Sequence, residues 1–281
     1  MIDLLAIGHA TRDEFPGVDW RLGGSAFYAA AAAARLGARA ALATRVGPEE
    51  QAELVAACRR LAIDLVALPA AVTTTFAFSR APDGGRQLRL RARAKAIALT
   101  DIPLALREAR AVIFASVAHE LDASLFGGFP RAIRVVEVQG YLREWDAAGV
   151  VRPRRWSAPH ELLVAAHAIV LSEEDLGRDE TPVPGWAETA PVVVTRAERG
   201  SRTYRAGSIV EVEALPVDAV VDVTGAGDAF SAGLALALAD GVSFGDAIRF
   251  AHGVASFAVE GVGTSALAER AAVDLRLRES D

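Results

Sequence analysis

The sequence predicts an α/β chain built on a mostly parallel sheet, with helices on both faces and a small β flap at one end. Three observations carry this. Short runs rich in β-branched residues alternate with helical stretches from end to end. One segment, 73–94, breaks that rhythm by alternating apolar and polar residues. The 281 residues are 52% hydrophobic, enough to bury the core of one large domain over 1–281 with inserted flap segments.

The elements follow in order. "DLLAIG" (3–8) reads as a strand and "SAFYAAAAAARLG" (25–37) as a helix of strong formers stopped by Gly37. "ARAALATRVG" (38–47) is the next strand. "EEQAELVAACRRL" (49–61) is a helix with acids at its start and arginines at its end, as the helix dipole prefers. "AVIFAS" (111–116), "RVVEV" (134–138), "AIVLS" (168–172) and "PVVVT" (191–195) read as short buried strands. Residues 73–94 predict a hairpin turning at Asp83-Gly84, and 200–215 a second turning at Ala206-Gly207. Residues 10–22 read as an irregular insertion that joins 73–94 in a flap. The arginines of 73–94 require one face to be wet or to meet a charged partner. That hairpin either pairs with its copy in a homodimer or lies exposed.

Composition removes several function classes. No apolar run reaches the roughly 18 residues that span a bilayer, and "MIDLLAIGH" lacks a basic signal-peptide head. A cytoplasmic protein without a membrane partner is expected. A net charge of −6 argues against a nucleic-acid surface. The single cysteine, Cys58, excludes an internal disulfide and a cysteine zinc cluster. Lys95 is the only lysine and no "GK[ST]" occurs, so a Walker A loop is excluded.

The chemistry concentrates in "VVDVTGAGDAFSAGLALAL" (220–238). "AVVDV" (219–223) reads as a strand and 227–238 as a helix, with Thr224, Gly225, Ala226 and Gly227 between them. Unpaired N–H groups at a helix start, approached through glycine, form an anion hole. A dinucleotide fingerprint fails because its third glycine is Phe230. On the turn alone two readings stand: a structural turn with Asp228 as a helix-start acid, or a phosphoryl-transfer site with Asp228 as base.

"DVTGAGDAF" resembles the second signature of the ribokinase-like (PfkB) carbohydrate kinases, and similarity extends along the chain. "RLGGSAFYAAAAAARLGARAALATRVG" is similar to that family's Gly-Gly segment, and "AIGHATRD" to its opening strand. "VLSEED" resembles its Asn-x-x-Glu motif, "VVTRAERGS" its Thr-Leu-Gly-x-x-Gly turn, and "AHGVASFAVEGVGTSAL" the segment flanking adenine. The resemblance implies a ribokinase-like three-layer α/β/α sandwich with a β lid. It also implies an ATP-dependent kinase acting on a hydroxyl of a small sugar, inositol-like polyol or nucleoside. A non-catalytic ligand-binding or regulatory member of the fold is the alternative.

Residue by residue, the resemblance implies Asp228 as catalytic base and the amides of Gly225, Ala226 and Gly227 as anion hole. Asp13 and Gly24 would hold acceptor hydroxyls. Tyr28 stands where the family carries an asparagine, and offers one hydroxyl and a flat wall. Glu120, Gln139 and Arg143 would face substrate, the last two in "EVQGYLR" resembling inositol kinases. His119 is either a substrate contact or a loop residue. Thr195, Arg196 and Gly200 would line nucleotide phosphates, with Ala197 in place of a glycine. Val223, Thr224, Gly225, His252, Gly253 and Val262 would line the nucleotide pocket, His252 being equally readable as a core wall. Glu174 and Asp175 would order waters on Mg²⁺; in residue type alone they are favourable helix-start acids. Asp222 and Thr224 resemble a monovalent-cation site, with K⁺ the candidate. Asp13, apart from the motif, reads as a solvated loop acid.

Overall fold

Strand β1 (Leu4–Ile7) shows how the molecule is layered: all four residues are buried, Leu4 and Ala6 on one face and Leu5 and Ile7 on the other. A strand buried on both faces belongs in the middle of a parallel sheet. The computed structural model describes residues 1–80 and 86–280. The first half contains β2 (Thr11–Phe15), β3 (Val18–Gly23), α1 (Ser25–Arg35), β4 (Ala40–Val46), α2 (Gln51–Arg60), β5 (Asp64–Pro69), β6 (Thr74–Arg80) and β7 (Arg86–Ala92). Then come β8 (Ala111–Ala115), β9 (Ile133–Glu137), β10 (Arg143–Trp145), β11 (Val151–Pro153), α3 (His160–Ala165) and β12 (Ala168–Ser172). The chain finishes with α4 (Val183–Ala187), β13 (Val192–Thr195), β14 (Ser201–Arg205), β15 (Ser208–Val212), α5 (Ala226–Ala239), α6 (Phe244–Ala258) and α7 (Arg270–Glu279).

Nine strands form one sheet in the order β15-β14-β13-β12-β9-β8-β1-β4-β5. The seven strands from β13 to β5 pair in parallel; only β14 and β15 are antiparallel. One face is thin. The alanines 29–33 of α1 are all buried there, and their short side chains let α1 lie close to α5 and the sheet. The other face is thick and aromatic. Phe114 of β8 meets Phe126 and Phe129 edge-on at 5.3 and 5.7 Å, and Trp156 meets Trp186 at 5.3 Å. Among the described residues no helix is long and apolar enough to cross a membrane.

The lid is a separate four-stranded sheet, β3-β2-β6-β7. This corrects the expectation of an irregular segment at 10–22: those residues form the antiparallel pair β2–β3, with Gly17 at φ 72° in the turn, and β2 pairs in parallel with β6. The expected hairpin at 73–94 is β6–β7, and its Asp83-Gly84 turn lies outside the described residues. The hairpin at 200–215 is β14–β15, turning through Ala206 and Gly207 at φ 45° and 80°. The small pair β10–β11 had no clear signal, being three residues per strand.

A buried polar hinge ties lid to sheet. His9 donates from Nε2 to the Lys95 carbonyl at 3.0 Å, so its Nδ1 accepts from Thr74 Oγ1 at 2.7 Å. Thr74 Oγ1 in turn accepts from the Ala94 amide at 3.0 Å. Glu50, 4% exposed, accepts from Thr73 Oγ1 at 2.6 Å and pairs with Arg12 at 2.9 Å.

One expected strand is absent. Residues 219–223 are irregular, and Val220, Val221 and Val223 are about 60% exposed. Apolar composition suggested a strand, yet the segment crosses the end of α6, where the Val221 amide bonds the Val259 carbonyl at 2.7 Å. It fixes the approach to α5 without joining the sheet.

The aromatic face sets a stability test. Phe114→Ala opens a cavity between β8, Phe126 and Phe129, and is expected to cost about 3–5 kcal/mol, read from the midpoint of urea unfolding.

Candidate active site

Two helices begin side by side, and each follows a glycine at positive φ, where a side chain would be strained. Gly24 precedes α1 at φ 97°, where a Cβ would stand 2.2 Å from the His9 carbonyl oxygen. Gly225 precedes α5 at φ 84°, where a Cβ would stand 2.9 Å from the Tyr28 ring. Neither helix has a side-chain cap. At α5 the amides of Gly225, Gly227 and Asp228 find no partner among the described residues, whereas Ala226 N–H closes a turn on the Val223 carbonyl at 3.3 Å. Of the three amides expected to form an anion hole, those of Gly225 and Gly227 are open, as is that of Asp228, while that of Ala226 is engaged. Unpartnered amides at a helix start attract negative charge.

Asp228 sits in the first turn of α5, where Ser25 at the first turn of α1 favours its charged form. Burial pushes its carboxyl up to about 6 and Asp175 adds to the rise; Ser25, Arg143 and Glu137 oppose it. Arg143, the first residue of β10, lies in the field of Asp175, Asp13, Asp228 and Glu120. Burial lowers its pKa, and its guanidinium makes no direct ion pair among the described residues, packing 5.8 Å over the Phe76 ring. His119 holds this strand start: at φ 57° it donates from Nε2 to the Arg143 carbonyl at 2.7 Å, and its ring lies 4.8 Å from Trp145. Its geometry is that of a loop residue supporting Arg143.

Asp13 is 6% exposed on β2, bonded by Thr11 Oγ1 at 2.8 Å, with its Oδ2 against the Gly23 backbone. It is not the solvated loop acid that its composition alone allowed. The Tyr28 hydroxyl is pushed above its usual range by burial and by Asp13, Asp228 and Asp222 around it. A cavity of about 450 Å³ opens under the lid, lined among others by Asp13, Arg21, Tyr28, Asp222, Thr224 and Val262. Asp13, Tyr28, Arg143, Asp175 and Asp228 thus converge from β2, α1, β10, the turn after β12, and α5. Gln139 lies half-buried in the single turn that follows β9.

Other expected residues have structural work. Glu120 is fully buried, and its oxygens accept from the amides of His9, Val117 and Ala118 and from Ser116 Oγ. It builds the loop after β8 and does not face the cavity. Gly253 faces α7, where a Cβ would fall 2.9 Å from Val273. It is a helix-packing glycine, not a pocket wall. His252 is 7% exposed, bonded to Ser201 Oγ at 2.8 Å and packed on Phe230; burial lowers it to about 4, so it is a neutral core wall. Arg196 is committed to Glu211 at 3.1 Å, and Arg199 to Glu173. Thr195 and Gly200 flank that turn, Gly200 closing on the Val212 carbonyl. Asp222 caps the Thr224 amide at 3.0 Å.

Among the described residues no three acidic, histidine or cysteine side chains group as a metal cage. Glu174 is exposed, while Asp175 Oδ2 accepts from the Ser172 amide and hydroxyl at 2.9 and 2.8 Å. That donor set fits an ion carried mainly by phosphate oxygens and water, with one carboxylate behind it. Sequence reasoning missed two residues of the site, Ser25 and Glu137. Ser25 had a usable signal, its place directly after Gly23-Gly24.

The model of the pfkB family carbohydrate kinases matches residues 1–271. The bifunctional protein HldE of Geobacter sulfurreducens is 36% identical over 123 residues, covering 43% of this chain and 24% of that protein. The chain spans only about a quarter to a third of the length of such curated relatives. Arabidopsis thaliana ribokinase, solved with ribose and ATP, has the same fold at TM-score 0.75 and 20% identity over 99% of each chain. A pyrophosphate-dependent myo-inositol-1 kinase superposes at TM-score 0.79 and 18% identity, over 98% of this chain and 99% of its own.

The partly buried Asp228 carboxyl makes a test that needs no substrate. Ionising a group whose pKa is higher folded than unfolded costs stability; the cost is absent below about pH 4 and complete above about pH 6. Asp228→Asn is expected to raise stability by about 3 kcal/mol at pH 7.5 and to leave it nearly unchanged at pH 4, read by thermal unfolding at both values.

Proposed function

The chain belongs to the pfkB family of carbohydrate kinases, and from that premise we propose that it transfers the γ-phosphoryl group of ATP to a hydroxyl of a small sugar or polyol held under the lid. The observation that supports this most is the pairing at the start of α5: a partly buried carboxylate beside amides with no partner among the described residues. A structural turn has no need of both together.

The acceptor lies against Asp13 and Tyr28, Asp13 taking up hydroxyl hydrogens. Asp228 removes the proton of the attacking hydroxyl. That oxygen bonds to the γ-phosphorus as the bond to the β-phosphate oxygen breaks, and ADP leaves. Charge growing on the phosphoryl oxygens is met by the amides of Gly225, Gly227 and Asp228 and by the Arg143 guanidinium, which is desolvated and, among the described residues, has no direct carboxylate partner. Mg²⁺, held through water by Asp175, would neutralise donor phosphate charge. The lid excludes water, which limits hydrolysis of the donor. The aromatic wall of Tyr28 favours an acceptor with a flat ring face, a polyol ring among them; the acceptor screen includes nucleosides.

The test is a screen of sugars, inositols and nucleosides, with ATP and pyrophosphate compared as donors, followed by Asp228→Asn on the best pair. The variant is expected to keep acceptor binding and lose at least about a hundredfold in kcat. Wild-type kcat/KM is expected to fall below about pH 6, as Asp228 gains its proton. Near-normal turnover in the variant would remove Asp228 as base. Thermal stabilisation by an acceptor with no ADP or phosphate released under any donor would favour a non-catalytic binding protein.

A further inference from the structure

Glu137 ends β9 deep behind the site, and no step above uses it. It is 5% exposed, and among the described residues neither of its carboxyl oxygens has a hydrogen-bond partner of good geometry. Ser231 Oγ, one turn beyond Asp228 on α5, is buried and likewise without one. β9 is an inner strand, with Glu137 in register with Ala115 of β8 and Val170 of β12, so the sheet closes it off on both sides. α5 packs against β9, and Asp228 and Ser231, three residues apart on α5, are the groups that act on Glu137 most directly, with Asp175 adding a field from the turn after β12; Arg143 of β10 acts on Asp228 and Asp175. Two carboxyls thus lie together where only one can ionise cheaply.

Which one ionises is set by their surroundings. Asp228 has Ser25, Arg143 and the open helix terminus to stabilise its charge, and rises only to about 6. Glu137 is driven well above the ordinary carboxylate range, by burial first and by Asp228 second. An ionised, unpaired Glu137 would be among the most costly groups a core can hold. As a neutral acid it has one O–H to give, and the carboxylate of Asp228 is the strongest acceptor within reach.

We propose that Glu137 is a positioning residue that keeps its proton at neutral pH and donates it as a hydrogen bond to Asp228, fixing which carboxylate oxygen meets the acceptor hydroxyl. The proposal rests on Asp228 being the base. No proton leaves Glu137 in turnover; the bond holds one rotamer of Asp228 and makes its charged form easier to keep.

The test uses the full chain with Glu137→Gln and Glu137→Met. Glutamine keeps a donor of the same reach, so kcat is expected within about threefold of wild type and the acidic limb of the pH profile unmoved. Methionine fills the same volume without a donor. It is expected to lower kcat by about tenfold or more with acceptor KM unchanged. It should also move the acidic limb to higher pH, while melting at the same temperature as wild type or above. A merely structural glutamate would instead lose stability and leave the pH profile alone. Wild-type kcat and pH profile in Glu137→Met would overturn the proposal, as would a loss in Glu137→Gln as large as in Glu137→Met. An infrared difference spectrum, wild type minus Glu137→Gln at pH 7.5, is expected to show a protonated carboxyl band, and its absence would also overturn the proposal. That measurement needs neither turnover nor the methionine variant, so it separates failure of this proposal from failure of Asp228 as base.

Discussion

Everything at the site depends on two helices starting within contact of each other. α1 and α5 each leave a left-handed glycine, and each lacks a side-chain cap. A serine or aspartate cap would satisfy the first-turn amides and stabilise the helix. Here those amides remain open at α5, and the local stability forgone is offset by packing. α1 offers buried alanines, α5 is buried from Ala229 to Ala237, and the two lie against each other over the thin face of the sheet. Only small side chains permit that approach, so the alanine run of α1 and the chemistry at its N-terminus follow from one constraint.

That convergence also sets the electrostatics. Asp13, Asp175 and Asp228 are drawn toward one guanidinium, and the same burial that raises the Asp228 carboxyl depresses Arg143. Arg143 is surrounded by several acids and, among the described residues, paired directly with none. By contrast Arg196, which the sequence offered as a phosphate ligand, already holds Glu211. A charged side chain near a site is useful to a ligand only to the extent that the fold has left it uncommitted.

The sequence made the layered α/β core legible because its strands are short, β-branched and buried on both faces, and its helices carry glycine or arginine at their ends. Asp228 and the glycine turn were legible for the same reason: they are contiguous. What failed was long-range. "AVVDV" has strand composition, yet nothing local reveals that its hydrogen bonds go to the end of α6. Residues 10–22 looked irregular because the partner that makes β2 a strand, β6, lies about sixty residues on. Glu120 and Gly253 sit in motifs rich in site residues, but one spends its oxygens on its own loop and the other packs on α7. Glu137 was invisible because a glutamate ending a strand gives no hint that it will be enclosed beside another acid.

The contact between Tyr28 and Gly225 binds two evolutionary problems into one. The Tyr28 ring that lines the cavity under the lid rests on Gly225, at the turn into α5. A lineage that exchanged Tyr28 for a smaller polar side chain would enlarge that cavity and at once unload the turn. A larger side chain would press on a backbone that has no slack. New acceptors are therefore reached more readily by drift in the lid, whose strands touch the cavity from the opposite side, than by change at Tyr28. The route by which such a scaffold diversifies is written into a single van der Waals contact.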